Sequence, residues 1–248
     1  MSCVLHISVY CLVCLRVACD AATFIQGDNE KALYLRRTLV RYLNLCHVLV
    51  LRDVSKPVRM QFPSFQHLID KGYMTEEEVR LYHHMDGSTK TKIHNYWIPW
   101  QWACSLVVAC RKEGFISSDA AMSKIYGDIQ LYKKNLQGLV NYDWITIPLC
   151  YTQVVTIAVY TYFLASLVGR QYLDPGKQYS GHEMDFYFPF VNIVEFFFYM
   201  GWLKVAESLI NPLGDDDQDF DTMKIIHRNF EVLMFSVNIC TDTSKYIF

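Results

Sequence analysis

The hydrophobic pattern of the chain contains two long apolar segments, at about 144–169 and 186–210. The first has no charged side chain between Asp143 and Arg170. A helix needs about 20 predominantly apolar residues to cross the hydrocarbon core of a bilayer. The pattern therefore predicts two transmembrane helices, and a buried helix of a soluble protein is the alternative for the first segment.

Polar residues interrupt the second segment at a helical spacing. Asn192, Glu195 and Tyr199 stand at i, i+3 and i+7, so they share one helix face, while the opposite face is rich in Phe and Val. A carboxyl group is costly in hydrocarbon and must face water or protein. This face is therefore either the wall of a pore or cavity, or a helix-packing contact in which Glu195 is neutral or hydrogen-bonded.

The remaining apolar patterns predict helices outside the membrane. Residues 31–52 are apolar nearly all round and carry a basic strip of Arg36, Arg37 and Arg41. Such a helix is usually buried, and its basic strip is more typical of structural ion pairs than of an anion-attracting surface. Residues 118–142 repeat apolar side chains at helical spacing. The predicted fold class is all-α.

The first 22 residues have a separate pattern. The apolar run from Cys3 to Leu15 is too short to span a bilayer comfortably and is followed by Arg16. It resembles the core of a signal peptide, although no basic residue precedes it. The alternative interpretation is an artefact of a wrongly started gene model.

Composition narrows the functional classes. Charged residues make up 19% of the 248 positions, below the soluble norm of about 25%. The balance of 23 basic against 25 acidic residues gives no nucleic-acid signal. No Gly-rich phosphate loop, G-x-S-x-G or H-E-x-x-H motif occurs, so no enzyme is predicted. The nine cysteines are scattered among apolar residues and are interpreted as free thiols.

An acidic run, DDDQD at 215–219, follows the second apolar segment after Pro212 and Gly214. Carboxylates so close together keep their charge in open water or around a cation. The run does not fit an EF-hand, because position 6 would be Phe220 and position 12 would be Ile226. A calcium site of another design and a solvated turn both remain, and composition alone favours the turn.

Several stretches closely resemble the bestrophin family of anion channels, over about Thr23 to Phe230. They include LRRTLVRYLNL (35–45), NYDWITIPLCYTQVV (141–155) and the highly specific FFFYMGWLKVAESLINPLGDDDQDF (196–220). The resemblance implies a calcium-activated chloride channel of the plasma membrane that crosses the bilayer several times. Each subunit would join its transmembrane helices to a cytosolic helical bundle, in a homopentamer with the pore on the five-fold axis.

The resemblance also implies site residues. The family binds calcium through two Asp side chains and two backbone carbonyls, which here correspond to Asp216 and Asp219, and to the carbonyls of Ser208 and Asn211. Ser208 stands where Gln is commoner, which a backbone ligand tolerates. The family's cytosolic aperture, a ring of small or branched apolar residues, falls at Ala120. Alanine would make that ring wider, and a weaker filter, than Ile or Val.

The resemblance is incomplete at the N-terminus. The family begins with a further backbone calcium ligand and two membrane helices, the second of which carries the neck of the pore, and none of these is recognised in residues 1–22. The expected organisation is an unmatched apolar stretch, 1–22, followed by a partial bestrophin domain, 23–248, that contains the calcium-clasp segment 208–221.

Two functions are expected from this organisation. The first is an N-terminally truncated chloride channel subunit. The alternative is a non-conducting membrane adaptor that assembles with full-length subunits. The expected cofactor is calcium, chloride is the permeant ion, and the partners are membrane lipid and either identical copies or full-length paralogues. No nucleic-acid partner is expected.

Overall fold

The computed structural model describes only part of the 248-residue chain, in the ranges 2–27, 29–86, 95–145, 148–177, 180, 188–208, 213–214 and 220–247. All regular structure in these ranges is helical, which confirms the predicted all-α fold class. The chain divides into two compact units. Unit 1 comprises Met1–Ile145 and Leu213–Phe248, and unit 2 comprises Thr146–Pro212.

The helices are, in chain order, α1 (Ser2–Phe24), α2 (Glu30–Val54), α3 (Lys56–Gln61), α4 (Phe65–Asp70), α5 (Glu76–Asp86), α6 (Trp97–Lys112), α7 (Asp119–Trp144), α8 (Leu149–Gly169), α9 (Phe190–Ser208) and α10 (Thr222–Ile247). A short 3-10 turn, Pro175–Lys177, follows α8. Unit 2 contains α8, this turn and α9, and the other helices belong to unit 1.

The core of unit 1 is built around α2. Leu39, Leu43, Leu45 and Val48 are fully buried, because α2 packs against α1, α6, α7 and α10. A helix that is apolar on all sides is stable in water only if neighbours cover all sides. The predicted burial of this helix is confirmed.

The basic strip of α2 consists of structural contacts. Arg36 donates to the carbonyl oxygens of Ile25 and Gly27, at 2.8 and 2.7 Å, and so satisfies carbonyls just beyond the end of α1. Arg41 donates to both carboxylate oxygens of Glu78, at 2.7 and 2.6 Å. These two arginines have the role that the sequence favoured, since their donors point into the fold.

Helix α1 contributes directly to the core of unit 1. Its side chains Val17, Ala18 and Ala21 are fully buried, and α1 packs along α7, α10 and α2. The apolar run from Cys3 to Leu15 did not predict that this helix belongs to the core of a folded unit. The described side chains of α1, from Leu12 onward, are part of a folded helical unit.

Unit 2 has its apolar side chains on the outside. Helix α8 has no buried residue, and within the described residues it is the one helix long and apolar enough to cross a membrane by length and composition. It begins at Leu149 and not near 144, because Pro148 starts a new helix and Trp144 still belongs to α7. The second predicted span, 186–210, is described as the shorter helix Phe190–Ser208.

Candidate functional site

Three of the four predicted calcium ligands, Asn211, Asp216 and Asp219, lie outside the described residues. The fourth, Ser208, is the last residue of α9, and its hydroxyl donates to the carbonyl oxygen of Val205 at 2.9 Å. Carbonyl groups in the last turn of a helix have no intrahelical donor. The position of Ser208 therefore meets the chemical condition for a backbone ligand, and its role stays a prediction.

The acidic run is anchored in the core of unit 1 on both of its sides. Leu213 and Thr222, which flank the acidic run, are each 1% exposed. The Thr222 hydroxyl lies 3.1 Å from the hydroxyl of Ser55, the residue between α2 and α3. Asp221 accepts a hydrogen bond from the Lys224 backbone N–H at 3.0 Å and so caps α10. The last carboxylate of the segment is therefore structural.

Ala120 is the second residue of α7 and is exposed. The helix begins with a side-chain cap, since the Ser118 hydroxyl accepts from the Ala121 backbone N–H at 3.1 Å. Asp119 pairs with Arg111 at 2.6 Å. An aperture between subunits needs an apolar side chain that its own subunit leaves uncovered, and Ala120 meets that requirement. Its role as the aperture stays a prediction.

The predicted face of α9 packs against α8 through Arg170, at the C-terminal end of α8. The Arg170 guanidinium donates to Asn192 Oδ1 at 2.7 Å and to Glu195 Oε2 at 2.6 Å. The Tyr162 hydroxyl donates to the same Glu195 oxygen at 3.1 Å, and its ring lies 5.9 Å from that of Tyr199. These side chains form a helix-packing contact with a hydrogen-bonded Glu195, one of the two interpretations of this face. A pore-lining role for it stays a prediction.

Sequence reasoning did not identify Arg170 and Tyr162 as partners of this face. A signal was present, because Arg170 closes the first apolar segment and Glu195 is the carboxylate inside the second. Ionisable residues in neighbouring membrane segments tend to pair with each other. Tyr162 lies about two helical turns before Arg170, so both reach the same side of α8.

A second charge cluster joins α1 and α7 in unit 1, and sequence reasoning missed it entirely. Asp128 of α7 has a side chain only 5% exposed and pairs with Arg16 of α1 and with Lys124 of α7. Lys124 Nζ also lies 3.1 Å from Asp20 Oδ2. We call Arg16, Asp20, Lys124 and Asp128 the α1–α7 charge cluster.

The two carboxyl groups of this cluster differ in proton affinity. Burial alone would raise the pKa of Asp128, but hydrogen bonds with Arg16, Asp20 and Lys124 outweigh it and hold that pKa well below its ordinary value. Burial and the hydrogen bond with Asp128 raise the pKa of Asp20, although Lys124 opposes the shift. Asp20 is therefore the carboxyl group of the cluster that takes up a proton first as the pH falls.

Other titratable groups of unit 1 are kept neutral by burial. Burial lowers the pKa of His47 to about 3 and raises the pKa values of the Cys104 and Cys110 thiols to about 11. Such thiols are chemically inert, because the thiolate is the reactive form. Free cysteines in the described part of the chain include Cys46, Cys104, Cys110 and Cys150, which agrees with the predicted free thiols.

Together these features define an all-helical protein with one closed core and one outward-facing apolar unit, as in membrane proteins. The model of the family described as "Bestrophin, RFP-TM, chloride channel" matches residues 10–239. This chain belongs to the bestrophin family. The matched range starts at residue 10 and not near Thr23, so it includes most of α1.

Curated relatives and a solved structure agree with this assignment. Over 224 residues the chain is 44% identical to mouse (Mus musculus) Bestrophin-2, covering 90% of this chain and 43% of that protein. Over 216 residues it is 45% identical to human (Homo sapiens) Bestrophin-1, covering 87% of this chain and 36% of that protein. The chain therefore spans less than half the length of these curated relatives.

The fold is similar to that of a crystal structure of a bacterial bestrophin homologue from Klebsiella pneumoniae. The TM-score is 0.71 at 16% sequence identity, and the alignment covers 96% of this chain and 79% of that one. At that identity the likeness shows the fold alone. It confirms the predicted bestrophin-like helical architecture of a membrane protein.

Proposed function

We propose that this chain is part of a channel subunit that conducts chloride across the plasma membrane and is opened by calcium bound at the acidic segment. The observation that carries the proposal is the match over 10–239 to a family described as a chloride channel. The outward apolar surface of unit 2 supports a membrane location. A helix such as α8, with no buried side chain, is stable where lipid covers it.

The donor set of the acidic segment fits calcium. Asp216 and Asp219 would supply carboxylate oxygens, and Ser208 and Asn211 would supply carbonyl oxygens, all of which are hard ligands that calcium prefers. When bound, calcium neutralises the repulsion between neighbouring carboxylates and draws the ligands of this segment together. The buried anchors at Leu213 and Thr222 would transmit that ordering to the core of unit 1.

The subunit would act in a pentamer, with Ala120 of each copy at the aperture. Exposure of Ala120 supports this placement, because a ring on a symmetry axis is assembled from surfaces that one subunit leaves open. A conducting state would then be favoured by the ordered acidic segment through a population shift. The same arrangement would serve in a mixed oligomer with full-length paralogues.

The test is whole-cell recording with chloride as the main permeant ion and internal calcium stepped from near zero to micromolar. Replacing both Asp216→Ala and Asp219→Ala should abolish the calcium-evoked current, because the carboxylate ligands are gone. Asp221→Asn is the matched control. It removes a charge from the same segment but keeps an effective helix cap, so calcium activation should persist. An unchanged calcium response in the double variant would exclude this calcium site.

The non-conducting adaptor is a distinct outcome of the same experiment. In that case the chain would reach the membrane without a current of its own. Co-expression with a full-length bestrophin would then change the amplitude or calcium response of that partner's current. A chain that neither conducts nor alters a full-length bestrophin would contradict both functions.

A further inference from the structure

We propose that Arg16 and Lys124 form an anion-attracting site beside Ala120, which concentrates permeant anions near the aperture. The inference rests on the proposed function for its link to permeation. The site itself is defined by the α1–α7 charge cluster, whose four charged side chains lie in unit 1.

The first step in the argument is the register of α7. Ala120, Lys124 and Asp128 stand at i, i+4 and i+8, so they lie along one side of the helix. The rise of about 1.5 Å per residue places Lys124 about 6 Å along the axis from Ala120. If Ala120 faces a pore, Lys124 faces the same space one turn further on.

The second step is the layering of charge in the cluster. The carboxylates lie underneath, with the side chains of Asp128 and Asp20 5% and 19% exposed, whereas those of Arg16 and Lys124 are 52% and 48% exposed. The cluster contains equal numbers of positive and negative groups, but the positive groups are more exposed than the negative ones. An anion approaching from solvent meets guanidinium and ammonium donors first, and these are strong partners for anions.

The third step is the role of the buried carboxylates. Asp128 pairs with both cations, so it holds two like charges on adjacent helices close together. A fixed pair of cations on a low-dielectric surface raises the local concentration of anions. The cluster is therefore a positioned cation pair and not two mobile surface side chains.

The carboxylate nearest to Ala120 along the chain has a side chain that is 82% exposed, but it adds no unpaired negative charge to this surface. Asp119, the carboxylate next to Ala120, is itself paired with Arg111 at 2.6 Å. The basic strip of α2 is less suited to such a site. Arg36 donates to backbone carbonyls of the fold and Arg41 to Glu78, so the strip keeps a single exposed arginine, Arg37, which donates to Asn238 Oδ1 at 2.8 Å. The half-exposed pair in the α1–α7 charge cluster thus has the geometry that the α2 strip lacks.

The experiment compares Lys124→Gln with the wild-type chain in single-channel conductance at low and high salt. At low ionic strength the conductance of the variant should be about two- to fivefold lower than that of the wild type, because the local anion concentration falls. The difference should shrink in concentrated salt, since the screening length falls from about 10 Å at 0.1 M to about 3 Å at 1 M. Arg16→Gln should also lower the conductance at low ionic strength.

Two further variants separate attraction of anions from a structural role. Lys124→Arg keeps the charge and should have the conductance and the salt dependence of the wild type. Lys134→Gln removes an exposed positive charge elsewhere on α7 and should leave both unchanged. Circular dichroism of each variant checks that the helical fold is kept. Equal conductance of wild type and Lys124→Gln at every salt concentration would overturn the proposal.

Chloride binding to purified protein decides the inference even if the chain carries no current. The readout is the excess broadening of the chloride nuclear magnetic resonance line in detergent solution. The broadening should fall in Lys124→Gln and persist in Lys134→Gln and Lys124→Arg. A silent chain with this binding pattern would reject the channel function and keep the anion site. Equal broadening in all four proteins would reject the site.

Discussion

Unit 1 buries the apolar side chains of its central helix, whereas unit 2 exposes the apolar side chains of its long helices. In unit 1, Leu39 and Leu43 are fully buried, whereas in unit 2, Leu164 and Val168 are 69% and 75% exposed. Both sets lie on long helices. The difference shows that an apolar helix has a low free energy in either setting, provided that its surroundings are protein side chains in one unit and lipid in the other.

Polar groups show the same contrast. In unit 1 a buried polar group is satisfied within an apolar core, as where the Tyr132 hydroxyl donates to the Leu43 carbonyl oxygen at 2.8 Å. In unit 2 the charged pair Arg170 and Glu195 is one of the contacts between two helices whose outer surfaces are apolar. Association of helices in lipid depends on packing and polar contacts, because the hydrophobic effect gives no preference for protein over lipid tails.

The sharpest test of this comparison replaces one leucine in each unit. Leu39→Ala should lower the free energy of unfolding by about 2–5 kcal/mol, because it leaves a cavity in a closed core. Leu164→Ala should change it by less than about 0.5 kcal/mol in detergent, because the side chain is exposed and leaves no cavity. Thermal unfolding followed by circular dichroism measures both. Similar losses in the two variants would show that the units do not differ in this way.

The exclusion of water from the core of unit 1 can be tested through His47, whose pKa is lowered to about 3 by burial. An unfolded histidine has a pKa of about 6.5. Between these values the unfolded chain binds a proton that the folded chain does not, so stability falls as the pH falls. The slope attributable to His47 is at most about 1.4 kcal/mol per pH unit.

The measurement is the free energy of unfolding between about pH 7 and pH 5. His47→Gln should remove this part of the pH dependence, although it also costs some stability at every pH. Exposed His84 provides the matched control, and His84→Gln should retain the wild-type slope. An identical slope in wild type and His47→Gln would mean that His47 is accessible to water.

The smallest expected effect concerns the polar contact of unit 2. Arg170→Gln should destabilise the pairing of α8 with α9 by about 0.6–2 kcal/mol, the range of polar contacts between membrane helices. A double-mutant cycle with Glu195→Gln isolates the interaction energy. Lys204→Gln changes an exposed charge on α9 and should have little effect. A coupling energy near zero would leave aromatic packing as the main contact between the two helices.

Local patterns predicted the elements that depend on neighbours along the chain. Thr75 and Glu78 have the T-x-x-E spacing of a capping box and form one, with hydrogen bonds of 2.9 and 3.3 Å, because a cap involves residues three apart. The uncharged run predicted α8, and its start differs because Pro148 breaks the chain of helical hydrogen bonds. Motif resemblance identified the family, which the match over 10–239 confirms.

Only the tertiary structure decided which distant charges meet. Arg16 and Asp128 are 112 positions apart, and no periodicity links them. Their pairing requires α1 to pack on α7, and the sequence pattern gave α1 no such role. Arg170 and Glu195 are 25 positions apart and meet because α8 and α9 lie side by side.

The sequence by itself determined the all-α class, the apolar segments, the acidic run and the family, because hydrophobic period, length and local motifs are properties of short stretches. The tertiary structure decided that α1 belongs to a core, that Arg36 and Arg41 are structural, and that Arg16 and Lys124 lie half-exposed over buried carboxylates. The physical reason is that burial and electrostatic environment depend on all the groups around a side chain, and most of those groups are far away along the chain.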